Sequence, residues 1–329
     1  MSSSSGYAKT THLEHVSKEL IMAARGDNTD EKVHKILSVL SVVKSIPDKS
    51  QLFISFELLK SCRVMLVDTD KTLRIQACRA MRYLTCNQLV LQQMVDLNIP
   101  VFMMLCLERE DDKYYWERLS ALKWIRHLID HFPLSIPKVV VMSLIGIATN
   151  GKHEYRRICL DSLREVCILN PQIVSTCNGF KTLIELILHP TLTDVSHSLL
   201  LTVLYILDHP NTRKYLRPSL DVQRLLRPFV GVNPYKKGAL NKQQIEQRNK
   251  TREIAQNTLM TMLKSITGTF TLNISYFALS VHGRSENEIE SILDVMKCSE
   301  FQTLNVTLSF VSWNLCQNIK SECLVSHEC

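Results

Sequence analysis

The chain has 329 residues, enough for one or two domains with a sizeable core. Hydrophobic residues make up 45% and charged residues 22%, a composition that excludes an intrinsically disordered chain. Only nine glycines occur, fewer than folds rich in tight turns or phosphate-binding loops use, and the formal net charge is +7. The composition therefore favours an all-α fold.

The cysteine pattern and the hydropathy bear on the cellular compartment. Eleven cysteines are scattered and odd in number, and several lie in apolar helical runs, where a free thiol behaves as a small hydrophobic side chain. The N-terminus lacks the apolar stretch of a secretory signal, and no uninterrupted apolar run of about 18 residues predicts a transmembrane segment. We expect a reducing, cytoplasmic environment.

Along the chain, the pattern divides into five segments. Residues 1–29 are Ser-rich and polar, which predicts a flexible lead-in, with one short helix as an alternative. Residues 30–230 show helix after helix, interrupted by prolines, and predict armadillo-like repeats. Residues 231–256 predict a basic exposed loop and linker, and residues 257–298 predict continuing helices. Residues 299–329 form a divergent tail, for which disorder is one alternative.

Self-similarity is the strongest single signal. The segments LRIQACRAMRYL (73–84), ERLSALKWIRHL (117–128) and YRRICLDSLREV (155–166) share two arginines and a small residue in matching positions. Their spacing of about 40 residues is typical of an armadillo/HEAT-like helical repeat solenoid. Each unit buries its apolar face only by stacking on its neighbours. A fourth unit, SHSLLLTVLYIL (196–207), lacks the arginines.

The repeated arginines have two interpretations. Their stems can cover apolar surface while the guanidinium groups reach helix C-terminal carbonyls or an acid of the adjacent unit. Alternatively, they form a ladder that binds a partner. The candidates are Arg74, Arg82, Arg118, Arg126, Arg156 and Arg164.

The sequence motifs that could indicate catalysis or metal binding are all weak. The segment GIATNGK (146–152), which follows Ile145, is similar in sequence to a phosphate-binding loop. However, His153 occupies the position where Ser or Thr would bind Mg²⁺. His127 and His131 share a helix face without the glutamate of a zinc protease, so a surface pair is favoured. The C-terminal cysteines and histidine fit no common zinc spacing. We expect no catalytic residue, no cofactor, no metal and no small-molecule substrate.

Basic residues concentrate in one segment. Residues 211–264 carry twelve Lys or Arg against three acidic residues. Such a segment is a solvated face, a site for an acidic protein segment, or a site for nucleic acid or lipid. Aromatic residues do not interleave with the charges as a single-strand binder requires, so nucleic acid is unlikely as a partner.

Three stretches resemble the N-terminal region of the Rictor family, the large non-kinase subunits of TOR complex 2. They are RIQACRAMRYL (74–84), ERLSALKWIRHLIDHF with the following PKVVVMSLIGIA, and LDHPNTRKYLRPSLDVQRLLRPF (207–229). The similarity extends over about residues 30–298. The 207–229 segment is the most specific and adds further candidate residues for binding or inter-repeat contacts, namely His209, Arg213, Tyr215, Arg217, Arg224 and Arg227.

The resemblance implies a non-catalytic scaffold that binds the TOR kinase and a Sin1-like subunit and supports signalling to AGC-type kinases. It also implies a peripheral position at membranes through the complex. We expect Arg213, Tyr215 and Arg217 to order the end of the array. Because family members are far longer, we expect a truncated product, an alternative terminus or an imperfect gene model.

The alternative is an armadillo-type adaptor, unrelated to TOR, that binds an acidic protein segment or nucleic acid. An importin-type adaptor would show a regular Trp/Asn ladder, whereas the chain has only three tryptophans. A helical enzyme would need a closed pocket of clustered polar residues.

Overall fold

The computed structural model describes residues 3–189, 191–215 and 242–263, and within these ranges the backbone is helical, with short connections and no strand. The predicted all-α helical-repeat fold is confirmed. The helices are α1 (Ser3–Ala23), α2 (Thr29–Ser45), α3 (Phe56–Leu66), α4 (Lys71–Leu84), α5 (Gln88–Asp96), α6 (Ile99–Leu107), α7 (Tyr115–His131), α8 (Lys138–Thr149), α9 (Arg156–Leu169), α10 (Pro171–Thr176), α11 (Gly179–Ile187), α12 (Thr193–Asp208), α13 (Pro210–Arg213) and α14 (Lys242–Leu263).

Short polar side chains start many of these helices. Asp70 Oδ1 accepts from the backbone N–H of Leu73 at 2.7 Å, and Ser55 Oγ accepts from that of Leu58 at 3.3 Å. Asn28, Asn87 and Asn170 do the same for α2, α5 and α10. Such caps satisfy backbone donors that have no partner inside the helix, so they fix where each helix begins.

The chain divides into two compact units, residues 1–179 and residues 180–329. In the first unit the helices form two layers. One layer contains α2, α4, α7 and α9, each packed against the next, and the other contains α3, α6 and α8. Equivalent helices of successive repeats are therefore neighbours, which is the packing expected of stacked repeats.

The face predicted from the first repeat forms the core. Leu73, Ala77, Ala80 and Leu84 of α4 are fully buried. The small residue recurs at Ala121 in α7 and at Cys159 in α9, and both positions are also fully buried. A small side chain at the middle of the face allows the next helix to approach closely, because interiors are close-packed.

Two asparagines allow the sharp turns between short helices. Asn98, between α5 and α6, has φ 56°, and Asn178, between α10 and α11, has φ 57°. Asparagine tolerates this left-handed conformation better than other non-glycine residues. After α7, a 3₁₀ turn over Pro133–Ser135 replaces the short helix. Repeats of three helical segments result, as in armadillo folds.

The N-terminal segment differs from the expected flexible lead-in. Residues 3–23 form the helix α1, which packs against α2 and α3. Leu13, Val16 and Leu20 are buried in it. These apolar residues at helical spacing outweigh the polar average of the segment, because burial of one face is enough to hold a helix.

The second unit contains α11, α12, α13 and α14, with α12 in contact with α13 and α14. Residues 242–256, expected as part of an exposed linker, belong to the helix α14, and residues 242–250 are exposed as expected. Residues 216–241 and the remaining C-terminal segment, including the predicted helices after residue 263 and the tail 299–329, lie outside the described residues.

Candidate functional site

The first arginine of each repeat is buried and binds the end of the preceding helical segment. Arg74 donates from Nη1 to the carbonyls of Asp68 and Thr69 at 2.9 and 2.7 Å, just after α3. Its Nη2 lies 3.1 Å from Oε1 of Glu117, a fully buried carboxylate on α7 of the next repeat. Arg74 therefore joins three helices through one guanidinium group.

The next two arginines repeat this chemistry. Arg118 approaches the carbonyls of Arg109 and Glu110 beyond α6 at 3.4 and 3.3 Å, and its Nη2 lies 3.2 Å from Oε2 of Glu154. Arg156 donates from Nε to the carbonyl of Ala148, in the last turn of α8, at 2.9 Å. Burial lowers the pKa of Arg156.

These contacts place the first arginine series in repeat-to-repeat packing. Helix C-terminal carbonyls carry partial negative charge, and a guanidinium group satisfies two or more of them at once. Less than a tenth of Arg74, Arg118 and Arg156 is exposed to solvent. Because a buried side chain offers little surface to a partner, this series is poorly placed for direct binding.

The second arginine series lies nearer the surface and is heterogeneous. Arg126 binds Asp130 on its own helix and Glu165 of the next repeat, and these hydrogen bonds raise its pKa. Arg164 lies 3.6 Å from Asp161 of its own helix. Arg82 instead contacts the ring and hydroxyl of Tyr83. Among the residues that the structure describes, only Arg126 of this series forms an ion pair across repeats.

The end of α4 forms a buried polar junction with α7. Thr85, fully buried, accepts from the indole N–H of Trp124 at 2.9 Å through Oγ1. The same hydroxyl donates to the carbonyl of Met81 at 2.6 Å. The carbonyl of Thr85 lies 2.7 Å from Nε2 of His127, so Nε2 carries the proton, because a carbonyl only accepts. Sequence reasoning placed His127 in a surface pair, whereas its ring is half-buried.

The candidates in the specific 207–229 segment are described as far as residue 215. Arg213 donates from Nε to the carbonyl of Leu207 at 2.9 Å, and Thr212 Oγ1 donates to the carbonyl of Ile206 at 2.8 Å. Both bonds close the C-terminal end of α12. His209 is exposed beside Tyr205, and Tyr215 is partly exposed. Arg217, Arg224 and Arg227 lie outside the described residues.

A second surface, which sequence reasoning missed, follows the loops at one edge of the first unit. Asn87 Nδ2 donates to the carbonyl of Leu52 at 3.0 Å, and Gln88 Nε2 donates to Ser135 Oγ at 2.8 Å. Asn170 Nδ2 donates to the carbonyl of Pro133 at 3.2 Å. These bonds join the loops of successive repeats. They link residues that are far apart in sequence, so no local sequence pattern predicts them.

Large apolar side chains stand out from these joined loops. Phe53 is 71% exposed, Leu89 63% and Leu134 78%. We name these three residues the loop edge. Each lies within two residues of a side chain or carbonyl that makes the loop-to-loop bonds. Exposed apolar side chains grouped in this way mark a protein interaction surface.

Other predicted features have simple positions. Gly146 lies inside the helix α8, so the GIATNGK segment does not form a phosphate loop after a strand. No cluster of three potential metal ligands occurs among residues 3–189, 191–215 and 242–263. In the same part of the chain, no single helix is long and apolar enough to cross a membrane, although the bent pair α5–α6 passes that test by length and composition.

Comparison with known proteins places the chain in a family. The family model described as "Rapamycin-insensitive companion of mTOR, N-term" matches residues 33–312. "Protein pianissimo A" of Dictyostelium discoideum is 30% identical over 282 residues, which cover 82% of this chain and 24% of that protein. "Rapamycin-insensitive companion of mTOR" of Mus musculus is 28% identical over 171 residues, covering 51% of this chain and 10% of that protein.

A fungal relative extends the set. "Target of rapamycin complex 2 subunit TSC11" of Saccharomyces cerevisiae is 21% identical over 206 residues, covering 63% of this chain and 14% of that protein. The chain thus spans about a quarter or less of the length of these relatives. With a family match that covers most of its residues, the chain belongs to the family of the N-terminal region of the rapamycin-insensitive companion of mTOR.

Proposed function

We propose that this chain is a non-catalytic scaffold segment of TOR complex 2, which binds other protein subunits of that complex along the loop edge. Family membership supports the assignment of this chain to that complex, since relatives are named as subunits of target of rapamycin complex 2. The observation that carries the proposal is the row of exposed apolar residues held on loops that are hydrogen-bonded to one another.

Rigidity of the loop edge favours binding. Phe53, Leu89 and Leu134 lie beside loops that are already ordered, so little further entropy is lost when a partner packs on them. Apolar and aromatic anchors at the centre of an interface supply most of its binding energy. A partner with an apolar helix or strand would cover these three side chains and exclude water from them.

The partners proposed for the scaffold are the TOR kinase and a Sin1-like subunit. Through them the chain would support signalling to AGC-type kinases from a cytoplasmic position, and at membranes through the complex. The scaffold itself would perform no chemistry. In support, the buried Arg74 pairs with the carbonyls after α3 and with Glu117, which is a packing role.

Affinity purification of the tagged chain from cells, followed by mass spectrometry, tests the proposal. The wild-type chain should retain TOR and a Sin1-like subunit. The variant Phe53→Ser/Leu89→Ser/Leu134→Ser should lose both by at least tenfold while keeping the wild-type thermal unfolding temperature. A matched control replaces three residues that are about as exposed on the layer α3, α6 and α8, namely Val64→Ser/Leu105→Ser/Met142→Ser.

The control variant should retain both subunits. Loss of binding in the control with retention in the loop-edge variant would move the interface to the other layer and contradict the proposed surface. Absence of TOR complex subunits from the wild-type purification would contradict the proposed function as a whole.

The second candidate function is an adaptor that binds an acidic protein segment or nucleic acid. The exposed N-terminal half of α14 supports it, because Lys242, Arg248 and Lys250 face solvent there. Binding of this kind weakens steeply as salt rises. A titration with DNA or with a polyglutamate peptide at low and high salt distinguishes it from apolar binding at the loop edge.

A further inference from the structure

A cleft opens in the first unit between the α2–α3 loop and the C-terminal ends of α4 and α7. Its volume is about 630 Å³, within the range of roughly 300–1,000 Å³ that ligand pockets occupy. Its lining residues are Pro47, Asp48, Lys49, Ser50, Arg82, Tyr83, Thr85, Cys86, His127, His131 and Phe132. The proposed scaffold function leaves this cleft unused.

Three permanent cations converge on one ring in the cleft. Lys44 Nζ lies 4.6 Å from the centre of the Tyr83 ring, Lys49 Nζ lies 5.7 Å from it, and the Arg82 guanidinium carbon lies 4.5 Å from it. Among the described residues, none of the three cations lies within ion-pair distance of a carboxylate. Like charges gathered around one ring repel one another, so an anion bound nearby would be attracted by all three.

The repeat pattern explains why the carboxylate is absent. In the next repeat the equivalent arginine, Arg126, binds Glu165. The residue that corresponds to Glu165 one repeat earlier is His127, which lines the cleft beside Arg82. Between the first and second repeats, the arginine of the pair is therefore kept as Arg82, but the acid is replaced by the imidazole of His127. The positive charge of Arg82 is thus available to an external anion.

The acidic groups near the cleft are already engaged. Asp48 Oδ1 accepts from the backbone N–H of Ser50 at 2.9 Å, which lowers the pKa of this carboxyl. Asp130 is bound to Arg126. The cleft lining therefore holds one carboxylate, Asp48, and two permanent cations, Lys49 and Arg82, with Lys44 near the Tyr83 ring. The surplus of positive charge matches a phosphate monoester, which carries a charge of about −1.5 to −2 at neutral pH, better than a single carboxylate.

Donor groups for phosphate oxygens are present at the cleft wall. Arg82 offers a planar set of N–H donors, Lys49 an ammonium group, and His131 an exposed ring. Tyr83 and Phe132 add aromatic surface for the group that carries the phosphate. We propose that this cleft binds a phosphate monoester, with Lys49 and Arg82 of its lining as the charge partners.

The phosphate could be carried by a phosphorylated serine or threonine or by a small organic phosphate, and a binding experiment with the full chain separates the two sources. In phosphate-free buffer, the probes are a degenerate peptide library with a fixed central phosphoserine, the same library with serine or glutamate, and phenyl phosphate as a small organic phosphate monoester. The wild-type chain should bind the phosphoserine library at least tenfold more tightly than the serine and glutamate libraries, or should bind phenyl phosphate.

The variant Lys49→Gln/Arg82→Gln should weaken that binding at least tenfold. The control Lys60→Gln/Lys123→Gln removes the same charge from exposed positions outside the cleft and should bind as the wild type does. Because Arg82 is partly buried, thermal unfolding of both variants is measured. If the double variant unfolds at a lower temperature, Lys49→Gln alone, on the α2–α3 loop, provides the comparison.

Tighter binding of the phosphoserine library than of phenyl phosphate would assign a protein source, and the reverse order a small organic phosphate. Equal binding of the glutamate and phosphoserine libraries would overturn the phosphate assignment. So would binding that the cleft variants leave unchanged, or absence of binding by every phosphate probe.

Discussion

Arg74 and Glu117, 43 residues apart in sequence, form an ion pair of 3.1 Å that is buried between two repeats. The carboxylate has no exposure to solvent, and only 10% of the arginine side chain is exposed. A buried charge whose partner is removed costs far more than a surface charge in the same situation. The pair therefore gives a direct test of how the repeats are held together.

Replacing Arg74 by Met should lower the free energy of unfolding by about 3–5 kcal/mol, because the buried Glu117 would lose its partner. Glu117→Gln should cost less, since the amide is neutral. The double variant Arg74→Met/Glu117→Gln should be less destabilised than the sum of the single variants, with a coupling of roughly 0.5–3 kcal/mol. Urea denaturation followed by circular dichroism measures all three.

The surface pair Arg126–Glu165 is the matched control. Half of the Arg126 side chain is exposed, so Arg126→Met should cost only about 0–1 kcal/mol. A larger loss for Arg126→Met than for Arg74→Met would contradict the division of the arginines into a buried and a surface series.

Thr85→Val should lower the free energy of unfolding by about 1–3 kcal/mol, because the buried indole N–H of Trp124 would lose its acceptor. Thr85→Ser keeps the hydroxyl and should retain most of the stability. Tryptophan fluorescence during urea denaturation reports the change. Equal stability of the Val and Ser variants would show that the hydrogen bond contributes nothing measurable.

Acid should destabilise the first unit through His127. Burial, with smaller contributions from His131 and Arg82, lowers the pKa of His127 in the folded chain, although its bond to Thr85 opposes this. The unfolded chain therefore binds a proton first, and the free energy of unfolding should fall as pH decreases below about 6.5. In the His127→Gln variant, the thermal unfolding temperature should change less between pH 7 and pH 5 than in the wild type. An unchanged pH dependence would mean that other groups cause the acid destabilisation.

The cysteines of the repeats should differ in reactivity. Burial raises the pKa of Cys62 and Cys159 to about 12 and that of Cys86 to about 11, and it also raises the pKa of Cys167. The thiolate is the reactive form, so these thiols should resist alkylation by iodoacetamide at pH 8 in the folded chain and react after unfolding. Among the cysteines in the described part of the chain, Cys177 is partly exposed and should be labelled first.

Peptide mass spectrometry assigns the label to each residue. Labelling of Cys62 or Cys167 before Cys177 would indicate that the first unit opens readily at its core.

Periodicity predicted the elements that depend on local pattern. The buried face of α4 and the small residues Ala121 and Cys159 follow from the 3.6-residue period and from the repeat. The reach of the first arginines to helix ends was one of two interpretations that the same pattern allowed. The identity of their acidic partners was not predictable, because Glu117 and Glu154 meet Arg74 and Arg118 only after the repeats stack.

The remaining features depend on tertiary structure in the same way. The loop edge is formed by bonds between loops about 35–47 residues apart, such as Gln88 to Ser135, which no local pattern encodes. The sequence allowed at most one short helix before residue 30, whereas α1 has 21 residues, because its Ser-rich start lowers the average hydropathy while a few apolar residues bury one face. The bond between His127 and Thr85 likewise arises only where α4 meets α7.

Glu117 and Arg118 are adjacent on α7, and one reaches back to Arg74 while the other reaches forward to Glu154. One turn of α7 therefore carries two charged side chains, and each pairs with a different neighbouring repeat. If one of these repeats unfolds alone, a charged side chain on the adjacent repeat loses its partner. This loss destabilises states in which only some of the repeats are unfolded. We therefore expect the central repeats to unfold cooperatively in one transition, instead of fraying one after another from the ends.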